Sequence, residues 1–186
     1  MKLIILDRDG VINEDSDDYI KSPEEWIPIS GSLEAIARLT RAGYRIAVAT
    51  NQSGVARGLF DLETLQRIHD KMCGDVTAAG GDIAAIFYCP HGPDDGCACR
   101  KPRPGMLRDI GARFAVDLSG VPAVGDSLRD IQAAQAVGAR PILVRTGKGK
   151  NTVRRGDGLA GIEIYADLAA VVDVLLRDAA SDARGH

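Results

Sequence analysis

Lys2-Leu3-Ile4-Ile5-Leu6-Asp7-Arg8-Asp9-Gly10 is the stretch from which the fold is read. Its apolar residues do not alternate with polar ones, so it reads as a strand covered on both sides, as strands of parallel sheets are. The run stops abruptly at two acids and a glycine. The same grammar recurs down the chain. Residues 45–49 run into Thr50-Asn51-Gln52-Ser53-Gly54, residues 83–89 into Pro90-His91, and residues 121–124 into Gly125-Asp126; residues 141–144 form a fifth apolar run. Between them lie helical patterns. Leu33, Ile36, Ala37 and Leu39 share one face of residues 32–42, and Leu62, Leu65, Ile68 and Met72 follow Asp61, a residue suited to capping a helix. Residues 105–114, 128–137 and 168–176 carry three more helices, whereas residues 148–161 read as a polar loop.

Strands alternating with helices predict an α/β fold, a Rossmann-like parallel sheet with helices on both faces. In such sheets ligands sit beyond the carboxyl ends of the strands. The polar clusters at Asp7/Asp9, Thr50/Asn51, Cys89/His91 and Gly125/Asp126 all fall at that rim. With 186 residues, no internal repeat and no long linker, residues 1–178 are expected to form a single domain, with a flexible tail over 179–186. A net charge of −3 supplies no basic field for nucleic acid, and no apolar run is long enough to span a bilayer. The first six residues are too short for a signal peptide before Asp7, so a cytoplasmic protein is expected.

Asp7 and Asp9 stand two residues apart, which aims both carboxylates to one side of an extended chain, and Gly10 permits a sharp turn after them. One carboxylate can attack an electrophile while the other moves a proton. Taken alone, the pair fits a solvated loop equally well. Asp126 and Asp130, in isolation, fit a helix cap and first turn. Together the four acids repel, by about 4 kcal/mol for two charges ~4 Å apart at an effective dielectric of 20. They call for a cation or for raised pKa values, and an all-oxygen ligand set favours Mg²⁺. Thr50, Asn51 and Ser53 offer polar groups to an anion at the tip of the second strand, although turn and cap roles suit them too. Lys101 offers a positive charge to a developing negative one.

Cys89, His91, Cys97 and Cys99 form a Cys₃His set within eleven residues, a composition typical of structural zinc. Disulfides are the competing reading; the odd number of clustered thiols disfavours them. A zinc loop over 89–101 fixes Cys99 and therefore where the adjacent Arg100-Lys101 points. Cys73 reads as an ordinary packed thiol, and His69 and His186 offer no comparable arrangement.

Asp7-x-Asp9, Thr50, Lys101 and Gly125-Asp126-x-x-x-Asp130, in this order across residues 2–145, resemble the four motifs of the haloacid dehalogenase superfamily. That resemblance implies that Asp7 is the nucleophile, Asp9 the acid and then the base, and Thr50 and Lys101 the phosphoryl ligands. It also implies Mg²⁺ on the Asp7 side chain, the Asp9 carbonyl and Asp126, with Asp130 in support. The strings 50–58 and 99–106 are similar to those of the branch acting on heptose 1,7-bisphosphate, with histidinol-phosphate phosphatases as the alternative. From this branch follow a short flap and zinc loop in place of a cap domain, and a small sugar-phosphate substrate feeding ADP-heptose and lipopolysaccharide precursors. A monomer is expected. Substrate contacts are expected from Asp15, Ser16, Asp17, Asp18 and Tyr19 of the flap, from Asn51, Gln52 and Ser53, and from Arg100. Some relatives carry Lys after the last-motif Asp, where it could contact substrate phosphate; here Ser127 stands there, which weakens that expectation.

Overall fold

The structure, a computed structural model, describes residues 1–182. Six strands alternate with six helices: β1 (Lys2–Leu6), α1 (Ser32–Arg41), β2 (Tyr44–Asn51), α2 (Leu62–Ala78), β3 (Ala85–Cys89), α3 (Gly105–Phe114), β4 (Pro122–Gly125), α4 (Leu128–Gln135), β5 (Arg140–Val144), α5 (Gly149–Arg155), β6 (Glu163–Tyr165) and α6 (Leu168–Asp182). Every strand pair is parallel, in the order β3-β2-β1-β4-β5-β6. The Rossmann-like α/β architecture expected from the apolar runs is the one observed.

Alternation along the strands sorts the core into two layers. Ile4 and Leu6 of β1, with Ile46 and Val48 of β2, face Ile36 and Leu39 of α1, Ile68 and Met72 of α2, and Val171 and Val172 of α6. Leu3, Ile5, Ala47 and Ala49 face the other way, onto Leu107 and Ile110 of α3 and Ala133 and Ala134 of α4. The small alanines of α4 let that helix lie close to the sheet. Asp61 caps α2 by accepting the Thr64 N–H at 2.8 Å.

Strand order decides where the site falls. From β1 the chain winds outward through β2 and β3, then returns to start β4 on the other side of β1. The carboxyl ends of β1 and β4 therefore flank the crevice where a doubly wound sheet binds ligands. Register completes the rim. Leu6 pairs with Val48 and Val124, and the Asp7 N–H donates to the Val124 carbonyl at 2.9 Å, while Asn51 pairs with Cys89.

Two stretches differ from expectation. The polar loop over 148–161 contains α5, and β6 adds a sixth strand, with Ile142 of β5 paired to Glu163. Seven and three residues are too few for a hydrophobic period to declare itself. Helix α6 continues through Asp182, beyond the expected start of the tail at Ala179, and positions 183–186 lie outside the described residues. Among the described residues no helix is long and apolar enough to cross a membrane.

Candidate active site

A cleft of about 280 Å³ opens at the β1/β4 crevice, lined by Asp7, Asp9, Thr50, Lys101, Asp126 and Asp130 together with flap residues Asp15, Ser16, Asp17 and Tyr19. Asp7 leaves the end of β1 into this cleft. Burial pushes its carboxyl well above the usual carboxylate range; Lys101 pulls it back, while Asp130, Asp126 and Asp9 push it further. Asp9 is held differently. Arg8 reaches back along the chain, its Nε and Nη2 donating to Oδ1 at 3.1 and 2.9 Å, and Nη2 to Oδ2 at 3.1 Å. Asn13 donates to Oδ1 at 2.9 Å and Gln52 to Oδ2 at 2.8 Å. Burial favours the neutral acid, but the Arg8 charge and these hydrogen bonds outweigh it and hold Asp9 below its ordinary value.

Lys101 spends all three of its protons. Its Nζ lies 2.6 Å from Asp130 Oδ1 and 3.1 Å from Asp7 Oδ1, and donates to the Ala49 carbonyl at 2.7 Å. Burial would strip its charge, yet Asp130 and Asp7 keep it protonated above the usual lysine value. Its backbone is clamped as well: the Lys101 N–H donates to Asn51 Oδ1 and Asn51 Nδ2 donates to the Lys101 carbonyl, both at 3.0 Å. Asp130 ties this lysine to helix α4, because its Oδ2 accepts from the Ser127 N–H at 3.0 Å and Oγ at 2.6 Å. The Lys101 charge therefore outweighs burial and holds Asp130 below its ordinary value.

Asp126 follows β4 and takes the Lys148 N–H on Oδ2 at 2.7 Å. Burial, then Asp130 and Asp15, push its carboxyl up to about 7. The chain can approach this carboxylate closely only through glycine. A Cβ on Gly10 (φ +83) or Gly147 (φ +54) would stand 2.0 or 2.2 Å from Oδ2. Four carboxylates thus meet two buried cations, Arg8 and Lys101, a deficit of two positive charges. Asp7, Asp126 and Asp130 present oxygens within 4.8 Å of one another. Since both Asp130 oxygens are already engaged, Asp7 and Asp126 are the pair that fits a divalent ion, in number and hardness suited to Mg²⁺.

At the next strand end, Cys89, His91, Cys97 and Cys99 bring their ligand atoms within 4.8 Å of one another. Cys89 Sγ lies 3.6 Å from Cys97 Sγ and 3.1 Å from Cys99 Sγ, and His91 Nδ1 lies 3.3 Å from Cys99 Sγ. Zn–S bonds of about 2.3 Å give tetrahedral edges of about 3.8 Å, so the cluster is of the size to hold zinc. Burial, then the neighbouring Cys99 thiol, push Cys89 up to about 12, so shedding its proton needs a cation beside it. The backbone couples the cluster to the cleft: Gln52 N–H donates to the Cys89 carbonyl at 2.7 Å, and Cys99 precedes Arg100-Lys101.

Of the residues singled out in the sequence, Thr50, Asn51, Gln52, Ser53 and Arg100 all line the cleft. Gln52 bridges Thr50 Oγ1 and Asp9 Oδ2, each at 2.8 Å, and Arg100 Nη1 donates to the His91 carbonyl at 3.2 Å. Asp18 stands apart from the lining, in the flap turn where its N–H donates to Ser16 Oγ at 3.1 Å. The reading of the sequence missed Arg57, Arg129 and Lys148 on the cleft wall, and Arg8 and His69 beneath it. The Lys148 side chain lies 3.3 Å from Asp15 Oδ2, which ties the flap to the β5–α5 turn. Only Arg8, set between two acids, carried a local signal.

An aspartate pair and a buried lysine at the switch point of a parallel sheet, beside carboxylates placed to hold a divalent ion, are the setting of a phosphoric monoester hydrolase. The chain belongs to the family of D-glycero-beta-D-manno-heptose-1,7-bisphosphate 7-phosphatases within the HAD-like hydrolases. It is 62% identical over 179 residues to the enzyme of that name from Bordetella bronchiseptica (96% of this chain, 100% of the relative). It is 59% identical over 176 residues to that of Pseudomonas aeruginosa (94% and 98%). The crystal structure of the B. bronchiseptica D,D-heptose 1,7-bisphosphate phosphatase, complexed with magnesium and phosphate, superposes with a TM-score of 0.94 at 62% identity, covering 96% of this chain and 99% of that one. The Burkholderia thailandensis enzyme gives 0.76 at 46% identity, covering 95% and 99%. The family profile described as HAD-hydrolase-like matches residues 98–171, and that of polynucleotide kinase 3 phosphatase matches residues 2–133.

Proposed function

We propose that the enzyme removes the 7-phosphate of D-glycero-D-manno-heptose 1,7-bisphosphate through a phosphoryl-Asp7 intermediate. Support comes from relatives bearing that activity in their names across nearly the whole chain, and from one geometric fact: Lys101 Nζ stands 3.1 Å from the Asp7 oxygen while pinned on its far side by Asp130 and Ala49. A lysine so fixed meets the phosphoryl group where charge develops and reorganises little during reaction.

Asp7 Oδ attacks phosphorus as the bond to the sugar oxygen breaks. The departing oxygen takes a proton from Asp9, whose proton affinity rises beside the phosphoryl dianion because like charges oppose ionisation. Asp9 then accepts a proton from water, the hydroxyl attacks phosphorus, and Asp7 leaves as carboxylate. Thr50 and Lys101 hold phosphoryl oxygens throughout. The Asp7 side chain, the Asp9 carbonyl and Asp126 would hold Mg²⁺, which when bound withdraws charge from the phosphoryl oxygens and orients the group for in-line attack. Cys89, His91, Cys97 and Cys99 would hold Zn²⁺ as a closed structural site.

Arg100 meets the non-reacting phosphate, and the flap residues Asp15, Ser16, Asp17 and Tyr19 meet sugar hydroxyls. The enzyme works as a cytoplasmic monomer. Comparing kcat/KM for the two anomers of heptose 1,7-bisphosphate, fructose 1,6-bisphosphate and histidinol phosphate tests the assignment. The β-anomer of the heptose is expected to lead, and preference for histidinol phosphate would overturn the substrate.

A further inference from the structure

Arg8 lies between the two aspartates of the first motif, yet its side chain is fully buried. A guanidinium taken out of water needs partners for its five N–H groups. Three of its contacts go to Asp9, as described. On its far side, Nη1 lies 3.2 Å from Nε2 of His69, a buried residue of α2 whose ring is tilted at 52° against Tyr88 of β3, 5.9 Å away. Arginine keeps its proton, so it donates and the neutral imidazole accepts.

Counting donors on Asp9 shows what this arrangement does. Oδ1 receives Arg8 Nε, Arg8 Nη2 and Asn13 Nδ2 and is saturated. Oδ2 receives Arg8 Nη2 and Gln52 Nε2 and keeps room for one more partner. A single fork on one edge leaves a guanidinium free to swing about that edge; an acceptor on Nη1 fixes its plane. The carboxylate plane is then fixed too, with Oδ2 left as the oxygen able to exchange a proton.

We propose that His69 is a positioning residue that acts through Arg8 to fix the Asp9 carboxylate, so that proton transfer to the leaving oxygen and from water runs through Asp9 Oδ2. This inference rests on the assignment of Asp9 as proton carrier made above.

The test compares His69→Leu, which removes the acceptor at similar volume, with His69→Gln, which restores one, in the Mg²⁺- and Zn²⁺-loaded enzyme. Proton transfer by a positioned group is worth about 10²–10⁴-fold, so His69→Leu should lower kcat on the heptose bisphosphate about 10-fold or more, with KM within about 3-fold. His69→Gln should recover most of that loss. p-Nitrophenyl phosphate supplies a readout that packing alone would not move. Nitrophenolate leaves without a proton, so Asp7 is still phosphorylated, but water is activated slowly. His69→Leu should release a burst of about one equivalent of nitrophenolate before a slow steady state. Arg8→Lys, which keeps the charge and loses the fork, should give the same burst and serves if His69→Leu does not fold. Wild-type kcat in a folded His69→Leu, or a loss of kcat on both substrates without a burst, overturns the inference. Asp9→Asn separates the two levels. If it bursts while the folded His69→Leu and Arg8→Lys do not, only the positioning role falls; if it turns over normally, the Asp9 assignment itself falls.

Discussion

Substituting Asp130 by asparagine probes how far the lysine at the centre of the cleft depends on its buried carboxylate partner. Asp130 uses both oxygens, Oδ1 on Lys101 Nζ at 2.6 Å and Oδ2 on the Ser127 N–H and Oγ at 3.0 and 2.6 Å. An amide offers one acceptor, and its NH₂ would face a donor whichever way it turns, so the variant loses either the lysine or the helix cap. Breaking a buried ion pair costs about 3–5 kcal/mol, and losing a cap about 1 kcal/mol. The remaining Asp7 contact at 3.1 Å softens the first figure. A net loss of about 3 kcal/mol lowers Tm by about 6–12 °C in a chain of this size. Released from Asp130, Lys101 draws onto Asp7 and ties up the nucleophile, so kcat should fall about 10²-fold. Thermal denaturation followed by circular dichroism, with steady-state phosphate release, reads both effects. A companion Lys101→Met/Asp130→Leu variant removes the whole pair. Since apolar replacement of a buried ion pair is often neutral or better, it should regain most of the stability and remain inactive. An asparagine variant that melts within about 1 °C of wild type and turns over normally would show that Lys101 does not depend on Asp130.

Three further outcomes follow from the same geometry. Burial, then the Arg8 charge, lower His69 to about 4, below its unfolded value, so its contribution to stability is complete above pH 6.5 and is lost as pH falls towards 4. Unfolding free energies from urea denaturation at pH 7 and 4.5 should differ by a His69 contribution of about 2 kcal/mol, which His69→Gln abolishes. Stripping zinc with a chelator should lower Tm and weaken phosphate binding, because Cys99 no longer fixes Lys101, while Asp7 is unaltered; unchanged melting and unchanged phosphate affinity would count against the coupling. Gly10→Ala should abolish turnover and Mg²⁺ binding, measured by calorimetry, since its Cβ would stand 2.0 Å from Asp126 Oδ2 in a backbone conformation at φ +83 that alanine rarely adopts.

Local spacing carried a good deal of the site into view. Paired acids after an apolar run, a second acid pair after another, and three thiols with an imidazole within eleven residues are all patterns a linear reading detects. Asn51 shows where such reading stops. Its place beside Thr50 suggested an anion contact, whereas its amide clamps the backbone of a residue fifty positions away. His69 is the sharper case. As a lone imidazole in a helical stretch it carried no signal, because its partner, Arg8, is sixty-one residues distant.

Short-range sequence was enough for the α/β alternation, the acid pairs at two strand ends and the Cys₃His set, because each depends on residues within a few positions of one another. Folding alone reveals the strand order that seats Asp7 beside Asp126, the burial of Arg8 against His69, and the reach of Lys148 from one turn to both the flap and Asp126. Those features are contacts between segments far apart in the chain. Burial of apolar residues closes the sheet and its two helical layers, and the buried polar contacts strengthen only once that closure has shut water out.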